Sequence, residues 1–154
     1  MARPAAVLME EVTHLDPRAA AERLVQAQRH RAGWLDAFAE HLDRQRNAEA
    51  LERILSVWGL NQSDAARLFG VSRQAISKWL RQGVPAERAE TVADLAAATD
   101  LLIRHIQRDR VAAVVRRRAP ALGDLSLLDL LEQQRSRDVL AACRAMFAFA
   151  EVHA

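Results

Sequence analysis

The stretch "NQSDAARLFGVSRQAISKWLR", Asn61 to Arg81, decides the fold. It holds two short patterns of helical period with a glycine between them. Asn61 is a good capping residue, and Asp64 three places on completes an approximate capping box. Gly70 tolerates the positive φ that a tight turn needs. Val71 plugs the corner, Ser72 caps the second helix and Gly83 ends it. Two helices that cross closely need a small residue where they touch, and Ala66 fills that place. Ile76, with Trp79 or Leu80, anchors the second helix in a core.

The rest of the second helix is a polar face of Arg73, Gln74, Ser77, Lys78 and Arg81. Lys78 is the only lysine among the 22 basic residues of the chain. These side chains suit the major groove of DNA. Arginine forks to guanine, glutamine pairs with adenine, and lysine reaches guanine or phosphate. Gln62 and Ser72 start the two helices, where backbone N–H groups and short polar side chains grip phosphates. Arg67 and Arg88 are expected to make this surface more basic still. A solvated face of any helical bundle is also polar. The ordered succession of cap, small residue, glycine, corner residue, cap and anchors is much rarer by chance.

Working outward, helical periodicity continues on both sides. Met1 to Leu15 reads as a loose arm. Asp16-Pro17 is a helix start, with Asp capping and Pro at the first helical position. From there Ala20, Leu24, Ala27, Trp34, Leu35, Phe38 and Leu42 recur at helical spacing. A weak point near Arg31 to Gly33 allows one long helix or two shorter ones. "NAEALERILSVWGL" carries Leu51, Ile54, Leu55 and Trp58 on one face and stops at Gly59. "VPAERAETVADLAAATDLLIRHI" starts at Pro85, with Val92, Leu95, Leu102 and Ile106 in its stripe. Beyond it come a short helix, a Pro/Gly loop, a short helix from Leu127 and a closing helix through Val139, Leu140, Cys143, Met146 and Phe147.

Composition agrees. Of 154 residues, 51% are hydrophobic and 27% charged, enough to bury a core. Only five glycines and four prolines interrupt a chain rich in alanine, leucine, arginine and glutamate, which favours an all-α protein. The expected architecture is a helical bundle with a helix-turn-helix core and a small helical C-terminal domain. The expected segments are 1–46 as an N-terminal extension, 47–108 as the helix-turn-helix domain and 109–154 as the C-terminal domain. The net charge of +2 is too mild to imply nucleic acid without a local cluster.

Several classes are disfavoured. One cysteine, Cys143, excludes an internal disulfide and a Cys-based zinc finger. Its apolar neighbours, "AACRAMFAFA", suit a buried structural thiol. The histidines at 14, 30, 41, 105 and 153 form no i, i+4 pair, and no Gly-rich phosphate loop occurs. No nucleophile stands beside a base. No catalysis, metal or cofactor is expected. The N-terminus makes a poor signal peptide and no apolar run approaches a membrane span. A cytoplasmic protein is expected.

"GVSRQAISKWL" resembles the Cro/repressor (Xre-type) helix-turn-helix family, and "GVPAERAETVADL" resembles the Pro-started helix that follows it there. The segment "VVRRRAPALGDLSLLDLLEQQRSRDVLAACRAMFAF" is similar to the toxin-binding domain of Xre/MbcA/ParS-type antitoxins. That domain has a loop of the form Pro-Ala-Leu-Gly-Gly-x-x-Pro, then Leu-Asp-Leu-Leu. Pro120 to Gly123 and Leu128 to Leu131 match. Asp124 stands for the second glycine, Leu127 for the proline, and Val114 or Val115 for an upstream tryptophan. The resemblance implies a bacterial type II antitoxin that sequesters a NAD-consuming RES-domain toxin. It also implies repression of its own operon by a homodimer at a palindromic operator, close to the nucleoid. Arg116, Arg117, Arg118, Leu122, Gly123 and the last helix become candidate toxin contacts. The departures at 124 and 127 leave a second reading open, a stand-alone transcription regulator whose C-terminal domain serves dimerisation. The N-terminal extension would buttress the bundle or the dimer.

Overall fold

The computed structural model describes residues 5–152 and is all-α. In chain order the helices are α1 (Ala5–Thr13), α2 (Pro17–Gln28), α3 (Trp34–Trp58), α4 (Gln62–Phe69), α5 (Arg73–Gln82), α6 (Ala89–His105), α7 (Arg108–Arg116), α8 (Leu127–Glu132) and α9 (Ser136–Val152). Single 3-10 turns lie at Ala86–Arg88 and Pro120–Leu122. The extended backbone among the described residues includes one isolated antiparallel bridge, Ala119 to Leu125, which closes the loop between α7 and α8. No described helix is long and apolar enough to cross a membrane.

The chain divides into two compact units between Leu42 and Asp43. In the first, the segment read as a loose arm is helical over Ala5–Thr13, and Met1 to Pro4 lie outside the described residues. Glu11 on α1 pairs with Arg23 on α2 at 3.6 Å. Asp16 caps α2 by accepting from the backbone N–H groups of Arg18 and Ala19, with Pro17 at the first helical position. The weak point after Gln28 is a true break, and Gly33 at φ 75° turns the chain into α3. Trp34 and Phe38 then stack at 5.0 Å.

The second unit holds the core. Leu51, Ile54, Val57 and Trp58 of α3 pack with Leu68 and Phe69 of α4, Ile76 of α5, and Val92, Leu95 and Leu102 of α6. Val111 and Val115 of α7, Leu130 and Leu131 of α8, and Val139 and Cys143 of α9 join the same cluster. Residues from both expected segments, 47–108 and 109–154, thus share one interior. Asn47, where the sequence suggests a boundary, lies inside α3, which has no glycine or proline to stop it. Trp58 brings a polar atom into this core. Its indole N–H donates to Thr99 Oγ1 at 2.9 Å, and that hydroxyl donates to the Leu95 carbonyl at 2.7 Å. A buried donor is satisfied without water. Cys143 is fully buried, and burial pushes its thiol up to about 11, which makes it an inert packing group.

Candidate functional site

The α4–α5 pair is built as its residues require. Asn61 and Asp64 form a complete capping box at the start of α4, with bonds of 2.8 and 3.1 Å. Gly70 closes α4 in the left-handed region at φ 65°, and its N–H and that of Val71 return to the carbonyl of Ala66. Ser72 Oγ accepts from the Ala75 N–H at 3.1 Å and starts α5 after a turn of three residues. Ala65 and Ala66 are buried, so α5 can cross α4 closely.

One side of α5 is locked. Ile76 is fully buried and Trp79 nearly so. The Trp79 ring meets Phe69 edge-on at 5.9 Å, and the Arg88 guanidinium lies 5.8 Å from its centroid. Gly83 ends α5 at φ 108°, pressed against α3 so closely that a Cβ there would stand 2.8 Å from Arg44 Cβ. Val84 N–H donates to the Arg44 carbonyl at 3.1 Å, and Gln45 Nε2 to the Gln82 carbonyl at 3.4 Å. Both ends of α5 are therefore fixed.

The other side is open. Arg73, Gln74, Lys78 and Arg81 are exposed and Ser77 is half-buried. Arg73, Gln74 and Lys78 have no side-chain partner among the described residues. Arg81 bends back, its Nε donating to the Ser77 carbonyl at 3.3 Å. Gln62, half-exposed, is the first residue of α4, and Ser72 is exposed at the start of α5. The helix pair thus presents a rigid row of forked and amide donors to solvent.

Two basic residues expected to enlarge this patch have other work. Arg67 pairs with Glu132 of α8 at 3.1 Å. Arg88 donates to the Phe69 carbonyl at 3.2 Å and to Gln134 Oε1 at 3.4 Å, while Gln134 Nε2 donates to the Leu68 carbonyl at 3.1 Å. Arg88 and Gln134 together satisfy the carbonyl end of α4. Gln134 has no signal in the local sequence, because its partner lies 66 residues away. The Arg44–Gly83 contact is equally long-range, although Gly83 was legible as a stop.

The C-terminal candidates separate. Arg116 is exposed, and its guanidinium lies over the end of α3: Nη1 donates to the carbonyls of Trp58 at 2.8 Å and Ala112 at 2.6 Å, and Nη2 to that of Gly59 at 2.8 Å. It caps the end of α3 while staying open to solvent. Arg117 is exposed with no side-chain partner among the described residues. Arg118 lies 3.6 Å from Asp129. Leu122 is half-buried against the core, and Gly123, at φ 66°, has open space around it. Asp124 also takes positive φ, 61°, as the glycine of the resembled loop would. Aspartate is among the side chains that tolerate this region. Leu127 is the first residue of α8, where proline would also fit, and uses the place to bury its side chain. Ser126 and Asp129 complete a capping box for α8, which holds the Asp129 carboxyl below its usual range. No cluster of three or more His, Cys, Asp or Glu suited to a metal occurs among the described residues.

The sequence matches no protein-family model and no curated protein. The structure, however, is similar to a chain in the crystal structure of the M. tuberculosis MbcT–MbcA toxin–antitoxin complex. The TM-score is 0.53 at 21% identity, over 64% of this chain and 91% of that one. At this identity the likeness is one of fold.

Proposed function

We propose that this protein is an antitoxin that binds DNA through α5 and neutralises a partner toxin through its C-terminal segment. The observation that carries the DNA half is the face of Arg73, Gln74 and Lys78. These side chains are exposed and unpaired on a helix whose opposite side is anchored by Ile76 and Trp79. Long polar donors on a rigid short helix fit base edges in a major groove. Ser72 and Gln62 stand where phosphates would lie, at two helix starts. Two copies would read a palindromic operator, and binding near the chain's own promoter would repress it.

The toxin half is supported by the fold likeness to a chain of a toxin–antitoxin complex and by the loop at Pro120–Gly123. The proposed partner is a RES-domain toxin that consumes NAD. Arg116, Arg117, Arg118, Leu122, Gly123 and α9 are its candidate contacts, and Arg116 also holds α7 to α3. The protein itself carries out no catalysis in this account.

Titration of labelled promoter-region DNA with wild type and with the triple variant Arg73→Ala, Gln74→Ala, Lys78→Ala tests the DNA half. The expected result is tight binding by wild type and its loss in the variant, with helicity and melting retained. Equal affinity in both proteins would remove α5 as the reading helix.

A further inference from the structure

Arg44 of α3 is fixed against the end of α5 and left without an acceptor. Both belong to the second unit. The Arg44 carbonyl accepts from the Val84 N–H at 3.1 Å, and its Cβ lies where a side chain at Gly83 would have to go. Beside it, Gln45 Nε2 donates to the carbonyl of Gln82, the last residue of α5. The stem is thus held, but the guanidinium is not satisfied. Its Nε is enclosed and has no hydrogen-bond partner, the one such side-chain atom among the described residues. Arg44 as a whole is half-buried, so the rest of the group is not shut in. No carboxylate among the described residues pairs with it.

A charged group that gives up hydration without gaining a partner costs free energy, and an orphaned donor of this kind calls for an acceptor from outside the chain. The local charge says what that acceptor is. From Ala65 to Ala86 the sequence holds no aspartate or glutamate, whereas Arg67, Arg73, Lys78 and Arg81 all fall there. Arg67 is taken up by Glu132, but Arg73 and Lys78 are free. The missing acceptor is therefore an anion, and one that meets α5 along its length.

The geometry points to Arg44 as a DNA-phosphate contact at the C-terminal end of α5. With 10 residues α5 is about 15 Å long. The major groove is about 12 Å wide, so a helix laid across it brings both ends near a phosphate backbone. The N-terminal end offers free backbone N–H groups. The other end presents carbonyls, whose partial negative charge repels a phosphate. A cation mounted beside those carbonyls removes the repulsion, and α3 holds Arg44 there. The inference rests on the proposed DNA reading and deepens it. Arg44 contributes affinity common to all sequences, while Arg73, Gln74 and Lys78 distinguish one sequence from another.

Anisotropy titration of the full chain into a labelled promoter-region duplex, and into a scrambled duplex of equal length, tests it. The titrations run across a salt series, beside thermal melts without DNA. Arg44→Met keeps the stem and removes the charge. It is expected to bind both duplexes about tenfold more weakly, with a salt slope shallower by about one. Its melting midpoint without DNA should be equal or higher, because an enclosed donor without a partner is gone. Arg44→Lys should keep the wild-type slope. An Arg44→Met protein with wild-type affinity and slope overturns the inference and leaves the DNA reading standing. So does a loss of affinity that comes with a lowered melting midpoint and an unchanged slope, the mark of a merely structural role. A wild type that binds neither duplex removes the DNA reading and this inference with it.

Discussion

Arg116 and Trp58 are joined end to end across 58 residues: the guanidinium of the first donates at 2.8 Å to the backbone carbonyl of the second. The same group reaches Gly59 and Ala112. A cation with several donors sits where the α3 carbonyls end, which is where the helix dipole favours positive charge. Arg116→Ala should cost about 2 kcal/mol, since hydrogen bonds from charged groups are lost. Arg117→Ala should leave stability within about 0.5 kcal/mol, as for an unpaired surface residue. Urea melts of both variants check this, and equal melting would deny Arg116 its capping role.

Gly83 answers to a different constraint, the space and the backbone angle next to Arg44. Gly83→Ala places a Cβ 2.8 Å from Arg44 Cβ at a φ of 108°. The expected cost is about 3 kcal/mol, from crowding and backbone strain together. Thermal melting should show a fall of many degrees, whereas an unchanged midpoint would mean that α5 ends more loosely than described.

Asp124 occupies the left-handed region at φ 61° in a loop closed by the Ala119–Leu125 bridge. Asp124→Gly should stabilise by about 0.5–1 kcal/mol, and Asp124→Ala should destabilise by a similar amount. Opposite shifts in the melting temperature of the two variants would establish the backbone cause. Shifts of the same sign would point to the carboxylate instead.

Acid sensitivity should trace in part to Asp129. Hydrogen bonds from the Ser126 backbone and hydroxyl hold its carboxyl below the usual range, helped by Arg118 and Arg67. A depressed folded-state value gives stability that is present above the unfolded value of about 3.9. That stability is lost as pH falls through the folded-state value. Ser126→Ala should lower stability near pH 7 by about 1 kcal/mol, the usual worth of a cap. It should also flatten the loss of stability below about pH 4. Melts across pH 3 to 7 would show whether the gap between the two curves narrows at low pH, as expected, or stays constant.

DNA binding through α5 should depend steeply on salt. If several phosphates are engaged by Arg73, Lys78 and the helix starts, raising salt from about 50 to 200 mM should weaken binding by orders of magnitude. A flat response would exclude a phosphate-tracking surface.

Much of this was legible in the sequence because it is local. Asn61 and Asp64, Gly70, Ser72 and Gly83 mark their elements by short-range chemistry, and α4 and α5 follow them closely. Ile76 and Trp79 were legible as anchors from helical spacing. What was hidden is long-range. Arg67, Arg88 and Arg116 look like surface charge in one dimension, yet each meets a partner at least 19 residues away. The N-terminal helix at Ala5–Thr13 was read as an arm because that stretch has no cap or clear stop signal. It pairs with α2 through Glu11 and Arg23, which no local pattern reveals.

The most direct measurement is co-expression with the adjoining open reading frame, following growth, NAD level and co-purification. The expected result is that the neighbour alone arrests growth and depletes NAD, and that this protein relieves both and purifies with it as a stable complex. A neighbour that harms nothing and binds nothing would contradict the antitoxin reading, and the likeness to the toxin–antitoxin chain would then be one of fold only.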